Sequence, residues 1–479
     1  MGENFKRSLG LLDATSLVAG SMIGSGIFIV TSIMMRDIGS AGWLIFLWLL
    51  TGLITVFAAL SYGELAGMMP GAGGQYVYIQ RAYGKMASFL YGWTVFAVIQ
   101  TGVIAAVAVA FSKYAGVFFP GLNTVVLEIG SSFKMTYGQL LAIGSIIALT
   151  KLNAGGVENG KWLQLIFTGA KLLALFSLII LGVGIGLNSD TFSENFQDMW
   201  VAKKTIVNDD NSITTVSLTG FALLGALGAT IINSLFSSDA WNNVTFIAGE
   251  IKNPQKNIPR SLFLGTLLVT IIYILANLAY LALLPINGSP EATNAAGQGI
   301  MFAFDDRLGS SAASMIIGSA GVFLMAGLIM ISTFGCNNGL ILAGSRLFYA
   351  MSKDGLFFKK AGSLNKNSVP GVALWIQCIW ASVLCLSGKY GDLLVYSTFA
   401  SLLFYILTIG GLFILRRKEP DADRPYKAFG YPYIPILYIL LTLAICVDLL
   451  IYDSINAGMG FLIVLLGIPI YYLTNRKSD

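Results

Sequence analysis

Apolar residues run along this chain in long blocks separated by short polar breaks. The blocks fall at about 10–35, 42–69, 87–119, 138–152, 161–187, 217–248, 261–284, 311–350, 370–387, 391–415, 432–452 and 457–474. A helix that crosses a bilayer needs roughly 20 mostly apolar residues, so the pattern predicts an all-α polytopic membrane protein of about 12 transmembrane helices. The first block is too long for a signal-peptide core and lacks a small-residue cleavage site at its end, so it is expected to remain as the first span.

Two of these blocks are interrupted. The first reads LVAGSMIGSGIFIVTSIM, with Gly20, Gly24 and Gly26 near its middle; the sixth reads INSLFSSDAWNNVTFIAGE, with Ser237, Ser238 and Asp239 in an apolar run. They open two consecutive five-helix sets. Interrupted spans at matching positions of two halves point to a substrate site near the membrane midplane. The organisation read from this is 1–188 for helices 1–5, 189–416 for helices 6–10, and 417–479 for helices 11–12. The polar segments read as loops. The 188–216 segment, with Asp190, Glu194, Asp198, Asp209 and Asp210, is expected outside, and the 353–369 segment inside. Block 70–86, PGAGGQYVYIQRAYGKM, is too polar to span and reads as an interfacial helix.

Composition agrees with the spans. Of the 479 residues, 56% are hydrophobic and 11% charged, and mean hydropathy is +0.76. A soluble domain is about 25% charged. The net charge of +5 reflects topology rather than nucleic-acid binding. With the N-terminus cytoplasmic, most Lys and Arg, from Lys6 and Arg7 through Arg416, Arg417 and Lys418 to Arg476 and Lys477, fall inside. Only Arg36, Lys113, Lys134, Lys203, Lys204, Arg307 and Lys389 fall outside. By the positive-inside rule both termini are expected in the cytoplasm. The chain has no histidine. That removes His-ligated metals, Ser-His catalysis and histidine proton relays; no metal or other cofactor is expected, and an intramembrane enzyme is disfavoured. No ring of charges or carbonyl filter suggests a channel. Cys336, Cys378, Cys385 and Cys446 all sit in apolar runs, so no disulfide framework is expected.

Four features carry candidate chemistry. A break at Gly24-Ser25-Gly26 exposes free N–H groups at the start of the second half-helix, which suits an anion such as a carboxylate. Carbonyls ending the first half, near Ser21, Met22 and Ile23, suit a cation such as an α-ammonium. The same glycines also fit a small-residue packing face. At the second break, Asp239 is a carboxylate at membrane depth. It either meets a cationic group or caps the second half-helix. Phe236 beside it is placed to gate the site or simply to pack. Lys171, in FTGAKLLAL, lies about ten residues into a span, roughly 15 Å deep. Its ammonium can stand where a bound sodium ion would, bonding carbonyls of the broken first helix near Gly24 and a hydroxyl from Ser332 or Thr333; the alternative is that the span starts later and Lys171 lies at the interface. Glu64 reads as a structural partner of a nearby Arg or Lys, Asp13 as an N-cap, and Tyr62 and Trp241 as packing.

The stretches GSMIGSGIF, ELAGMMPGAGGQYVYIQRAYG, FTGAKLLAL, AWNNVTFIAGEIKNPQKNIPRSL, STFGCNNGLILAGSRLFYAMSKDG and RRKEPDADRPYKAFGYPYIP occur in one collinear order over residues 11–435. Together they resemble the amino acid–polyamine–organocation superfamily, and within it the L-amino acid transporter family with its bacterial alanine–serine–cysteine exchangers. The resemblance implies the 5+5 inverted-repeat fold of the sodium-coupled leucine transporter. It implies amino acid substrates with the carboxylate on Ser25 and Gly26 and the α-ammonium on carbonyls of Met22 and Phe236, with Ser237 a further candidate; Ile23, Ile27 and Asp239 complete the candidate substrate-binding set. It also implies Phe236 as gate and Lys171 in place of sodium. An exchanger of small neutral amino acids follows, with proton symport or cationic substrates met by Asp239 as alternatives. Two departures stand out. Around Ser238 and Ala240 the family usually carries an aromatic residue and a Gly. The loop 118–136 lacks the cysteine of members that join a glycoprotein subunit, so no disulfide-linked partner is expected.

Overall fold

A computed structural model describes residues 7–71, 73–129, 133–208, 212–387 and 390–475. Lys6, Asp209, Asp210, Lys389, Arg476 and Lys477 lie outside the described residues. The chain folds into a bundle of long helices, as a bilayer requires, because a helix satisfies its own backbone where water is absent. The first span divides into α1 (Leu11–Met22) and α2 (Val30–Ile38), with a 3₁₀ turn Gly26–Phe28 between them. Next come α3 (Ala41–Met68), the short α4 (Gln75–Tyr83) and α5 (Lys85–Ala115). They are followed by α6 (Tyr137–Ala154) and α7 (Val157–Gly186).

The second half opens with α8 (Gly220–Ser237), which stops at its break and resumes only as the single turn α9 (Asn243–Phe246). Then follow α10 (Pro254–Leu283), α11 (Leu308–Ile317), α12 (Ser319–Lys353), α13 (Gly371–Ser387) and α14 (Tyr390–Lys418). The chain ends in α15 (Tyr433–Tyr452) and α16 (Ser454–Asn475). Among the described residues, nine helices are long and apolar enough to cross a membrane, and α1, α11 and part of α13 are shorter apolar helices. The block expected at 311–350 is kinked at Gly318, which ends α11 at φ +66°.

Sequence and structure part company at three places. Two antiparallel hairpins interrupt the helical pattern: β1 (Val125–Ile129) with β2 (Phe133–Thr136), and β3 (Ala202–Val207) with β4 (Ile213–Leu218). The second hairpin and a helix at Asp190–Gln197 occupy most of what reads as an open loop at 188–216. Its Thr and Val content favours strands over a loop. Asp13 is not the N-cap of α1 but its third residue, where its carboxylate accepts the Gly10 N–H at 2.9 Å.

α3 packs along α10, and α12 packs against both α5 and α7. Large side chains such as Leu53, Ile180, Leu224, Ile271, Leu440 and Leu466 lie exposed on the outside of the bundle. In water they would form an aggregation-prone patch; in a bilayer they form its lipid face. Besides the buried Arg346–Glu250 pair at 3.2 Å and the exposed Lys134–Glu128 pair at 2.9 Å, the ion pairs among the described residues gather in two groups. Glu64 is fully buried and holds Arg416 at 2.9 and 2.6 Å, Arg424 at 3.2 Å and the Ala428 N–H at 2.7 Å. This pins the 416–435 segment to α3. Arg81 pairs with Glu419 at 2.6 Å beside it. The other group joins Arg36 and Lys113 to Asp306 at 2.8 and 3.4 Å, and Arg307 to Asp305 at 3.0 Å.

Candidate functional site

The two breaks touch. A Cβ built on Gly26 would meet Ser237 Oγ at 2.1 Å and its Cα at 2.9 Å, so the backbone of the first break lies directly on the end of α8. Only glycine permits an approach this close. Around this contact the carbonyls of the first break are taken up one by one. Lys171, fully buried on α7, donates to Gly20 and Ile23 carbonyls, each at 2.7 Å. Ser332 Oγ approaches the same Ile23 carbonyl at 3.5 Å, and the Cys336 thiol donates to Ser21 at 3.2 Å. The Tyr273 hydroxyl lies 3.0 Å from both the Met22 and Ser237 carbonyls, bridging the breaks. Tyr280 donates to Ile27 at 3.2 Å and Tyr114 to Phe28 at 2.8 Å.

The two hydroxyls expected beside Lys171 behave differently. Ser332 shares a carbonyl with it. Thr333 Oγ1 bonds the Ile329 and Met330 carbonyls of its own helix, at 2.9 and 3.0 Å; a Thr hydroxyl inside a helix commonly turns back to the preceding turn. Lys171 is fully buried within the protein against the first break. Beyond the break, the first bond of the second half runs from Phe28 N–H to the Ser25 carbonyl at 3.1 Å. The N–H groups of Gly26 and Ile27 stand ahead of it, at a helix start where no intrahelical partner exists. Ser25 is buried there.

The second break is organised by α14. Asp239 does not cap α9: its Oδ1 accepts the Tyr405 hydroxyl in a short hydrogen bond, and Ser401 Oγ lies 3.5 Å from its Oδ2. Ala240, next in the turn, adopts φ +63°. The Phe236 carbonyl accepts the Asp239 N–H at 3.1 Å, and its side chain is buried. Two cavities flank Asp239, and Ser401 and Tyr405 belong to the walls of both. One is bounded by α5, where Val95–Ile99 forms a π turn; such turns recur at functional sites. The other lies against α3 and α15. Gln75 on α4 ties the region together. It donates to Phe404 and Thr408 at 3.2 and 3.0 Å and accepts from Tyr91 and Asn242 at 3.0 and 2.8 Å.

The structure thus gathers Met22, Ile23, Gly24, Ser25, Gly26, Ile27, Ser237, Lys171 and Ser332 about the first break. It places Asp239 with α14 instead. Sequence reasoning missed Tyr273, Tyr280, Tyr405 and Gln75. For the first two a signal existed: Tyr273, Asn277 and Tyr280 are spaced i, i+4, i+7 on one face of an otherwise apolar helix.

A polytopic helical bundle with two broken helices meeting at buried polar backbone is an architecture that secondary transporters use. The comparisons make the class specific. The amino acid permease family model matches residues 9–471. The chain is 30% identical to the serine/threonine exchanger SteT of Bacillus subtilis over 481 residues, covering 100% of this chain and 99% of that protein. It is 30% identical to large neutral amino acids transporter small subunit 2 of Homo sapiens over 478 residues, 98% of this chain and 81% of the relative. It is also 28% identical to Asc-type amino acid transporter 1 of Mus musculus over 473 residues, with coverage of 98% and 81%. The chain belongs to the amino acid permease family and is a multi-pass membrane transporter of amino acids.

Proposed function

We propose that the chain is a sodium-independent exchanger of small neutral L-amino acids, working by alternating access with both termini in the cytoplasm. The observation that carries sodium independence is the Lys171 ammonium, 2.7 Å from two carbonyls at the end of the broken α1. A fixed cation there does the structural work that a bound metal cation would do. The substrate carboxylate is then received at the start of the second half-helix by Ser25, Gly26 and Ile27, where N–H groups and the helix dipole favour an anion. The α-ammonium is met by carbonyls of Met22 and Phe236, since a carbonyl already bonded once keeps a second lone pair. Phe236 closes the site. Residues 1–188 and 189–416 form the two inverted repeats, helices 1–5 and 6–10, with helices 11–12 in 417–479.

Exchange rests on the relatives, one of which is named a serine/threonine exchanger. The small, polar lining contributed by Ser238 and Ser401 supports small substrates. One relative is named a small subunit, but the loop 118–136 of this chain holds no cysteine, and its four cysteines are buried and free. The transporter therefore works without a disulfide-linked partner.

The test is uptake of labelled alanine and serine into proteoliposomes, with and without internal amino acid, in sodium-free buffer and under an imposed pH gradient. Uptake that requires internal substrate and ignores sodium and pH is the expected result. Uptake into empty vesicles driven by protons would overturn exchange in favour of symport. Lys171→Ala is expected to lower uptake at least about 100-fold, by analogy with losing one preorganised charge, while the protein still reaches the membrane. Normal uptake by that variant would end the assignment.

A further inference from the structure

Asp239 invites a simple reading: a buried carboxylate waiting for a cationic side chain. Its surroundings argue otherwise. Oδ1 is already occupied by the Tyr405 hydroxyl. Tyr405 cannot easily swing away, because its ring is held edge-on to Tyr62 at 6.0 Å and tilted against Trp241 at 5.4 Å. The Ala240 N–H bonds the same carboxylate from within the turn. Ser401 Oγ stands 3.5 Å from Asp239 Oδ2 and closer, 2.9 Å, to the Ser397 carbonyl, so its contact with Oδ2 is the weaker of the two. Among the described residues no Lys or Arg forms an ion pair with Asp239. A carboxylate offers about four acceptor positions, and a guanidinium or ammonium is best held when both oxygens are open to it.

We propose that Tyr405 is a specificity-determining residue: by occupying Asp239 Oδ1 it converts the carboxylate from a receptor for cationic side chains into a single acceptor, Oδ2, for a small neutral side chain carrying a hydrogen-bond donor. This rests on the transport reading above and deepens it. The position of the pair supports it, because Asp239, Ser401 and Tyr405 form the wall shared by the two cavities beside the break. The phenol thus selects through its hydroxyl, which takes up one carboxylate oxygen. A serine-like hydroxyl donates to Oδ2 without disturbing it.

The experiment compares the native protein with Tyr405→Phe and with Tyr405→Phe/Asp239→Asn in proteoliposomes, measuring inhibition of labelled serine exchange by arginine, lysine and alanine. The readout is the ratio of the arginine to the alanine inhibition constant within each protein, so differences in expression or insertion cancel. A hydrogen bond to a charged group corresponds to about tenfold in affinity. In Tyr405→Phe the ratio is expected to fall about tenfold, and in the double variant the gain is expected to vanish. An unchanged ratio, or arginine and alanine weakened together, would overturn the proposal and leave the hydroxyl with a purely structural role. So would a gain that survives in the double variant. If Tyr405→Phe exchanges nothing, arginine and serine stabilisation of the purified variant against heat gives the same ratio; loss of both responses overturns the proposal. Absence of serine exchange in the native protein would instead sink the transport reading itself.

Discussion

Ala240 holds φ +63°, a left-handed conformation that costs a residue with a Cβ about 1–2 kcal/mol. Glycine adopts it freely, but loosens the unfolded chain by about 0.5–1 kcal/mol. The balance favours Ala240→Gly slightly, so the thermal midpoint in detergent is expected to rise by a degree or two. A fall would show that the methyl group contributes packing that outweighs the strain. Single residues were unevenly legible in the sequence. Lys171 declared itself, because a charge in a long apolar run has few innocent explanations. Tyr405 and Tyr273 did not, because a tyrosine in such a run looks like a packing residue until its partner is known, and those partners lie 166 and 251 residues away. Asp239 was noticed for its charge, but the direction its carboxylate turns depends on α14, which the local sequence does not mention.

At the scale of elements, the contact between the two breaks sets a hard steric condition. Gly26→Ala would drive a methyl group to 2.9 Å from a backbone atom of Ser237, closer than any real Cβ sits. The clash falls on main chain, which cannot rotate away. Transport is expected to drop to background, while insertion and long-helix content by circular dichroism stay near native. Retained uptake would mean that the breaks separate during the cycle with room to spare. Both breaks were legible, the first from its glycines and the second from polar residues in an apolar run. The length of the second half of the sixth span was not. NNVTFIAGE reads as a continuation of the helix, yet only Asn243–Phe246 is α-helical before a 3₁₀ turn at Ala248–Glu250. Asn and β-branched residues there make helix propagation weak. The hairpins were hidden for a different reason: they lie in polar segments, where a membrane pattern carries no information about period.

For the whole molecule, the buried Glu64 and its two arginines fasten the segment after α14 to the C-terminal end of α3. Breaking a buried ion pair by removing one charge costs about 3–5 kcal/mol; Arg416 is partly exposed and discounts that toward the lower end. Glu64→Gln is therefore expected to lower the thermal midpoint and to make residues 416–435 accessible to protease. Unchanged digestion would show that the cation–π contact of Arg416 with Tyr431, at 3.6 Å, is enough to hold the segment. The overall architecture followed from hydropathy alone, since a bilayer imposes helices of fixed length on any chain that crosses it. The helix count is looser, because α1 and α11 are cut short by kinks and fall below the length of a full span.

The Lys171 ammonium has a consequence for the energetics of the cell. A sodium ion that binds, crosses and leaves carries with it the free energy of its own gradient. A positive charge built into the protein makes no net journey, so on the proposed role it can contribute affinity but no driving force. Such a transporter cannot fill a cell with amino acid from nothing. It can only convert one gradient into another. The pool of whichever amino acid is made or imported by other means becomes the currency against which the rest are drawn in. Its direction of flow is then a property of metabolism on the two sides rather than of the membrane potential.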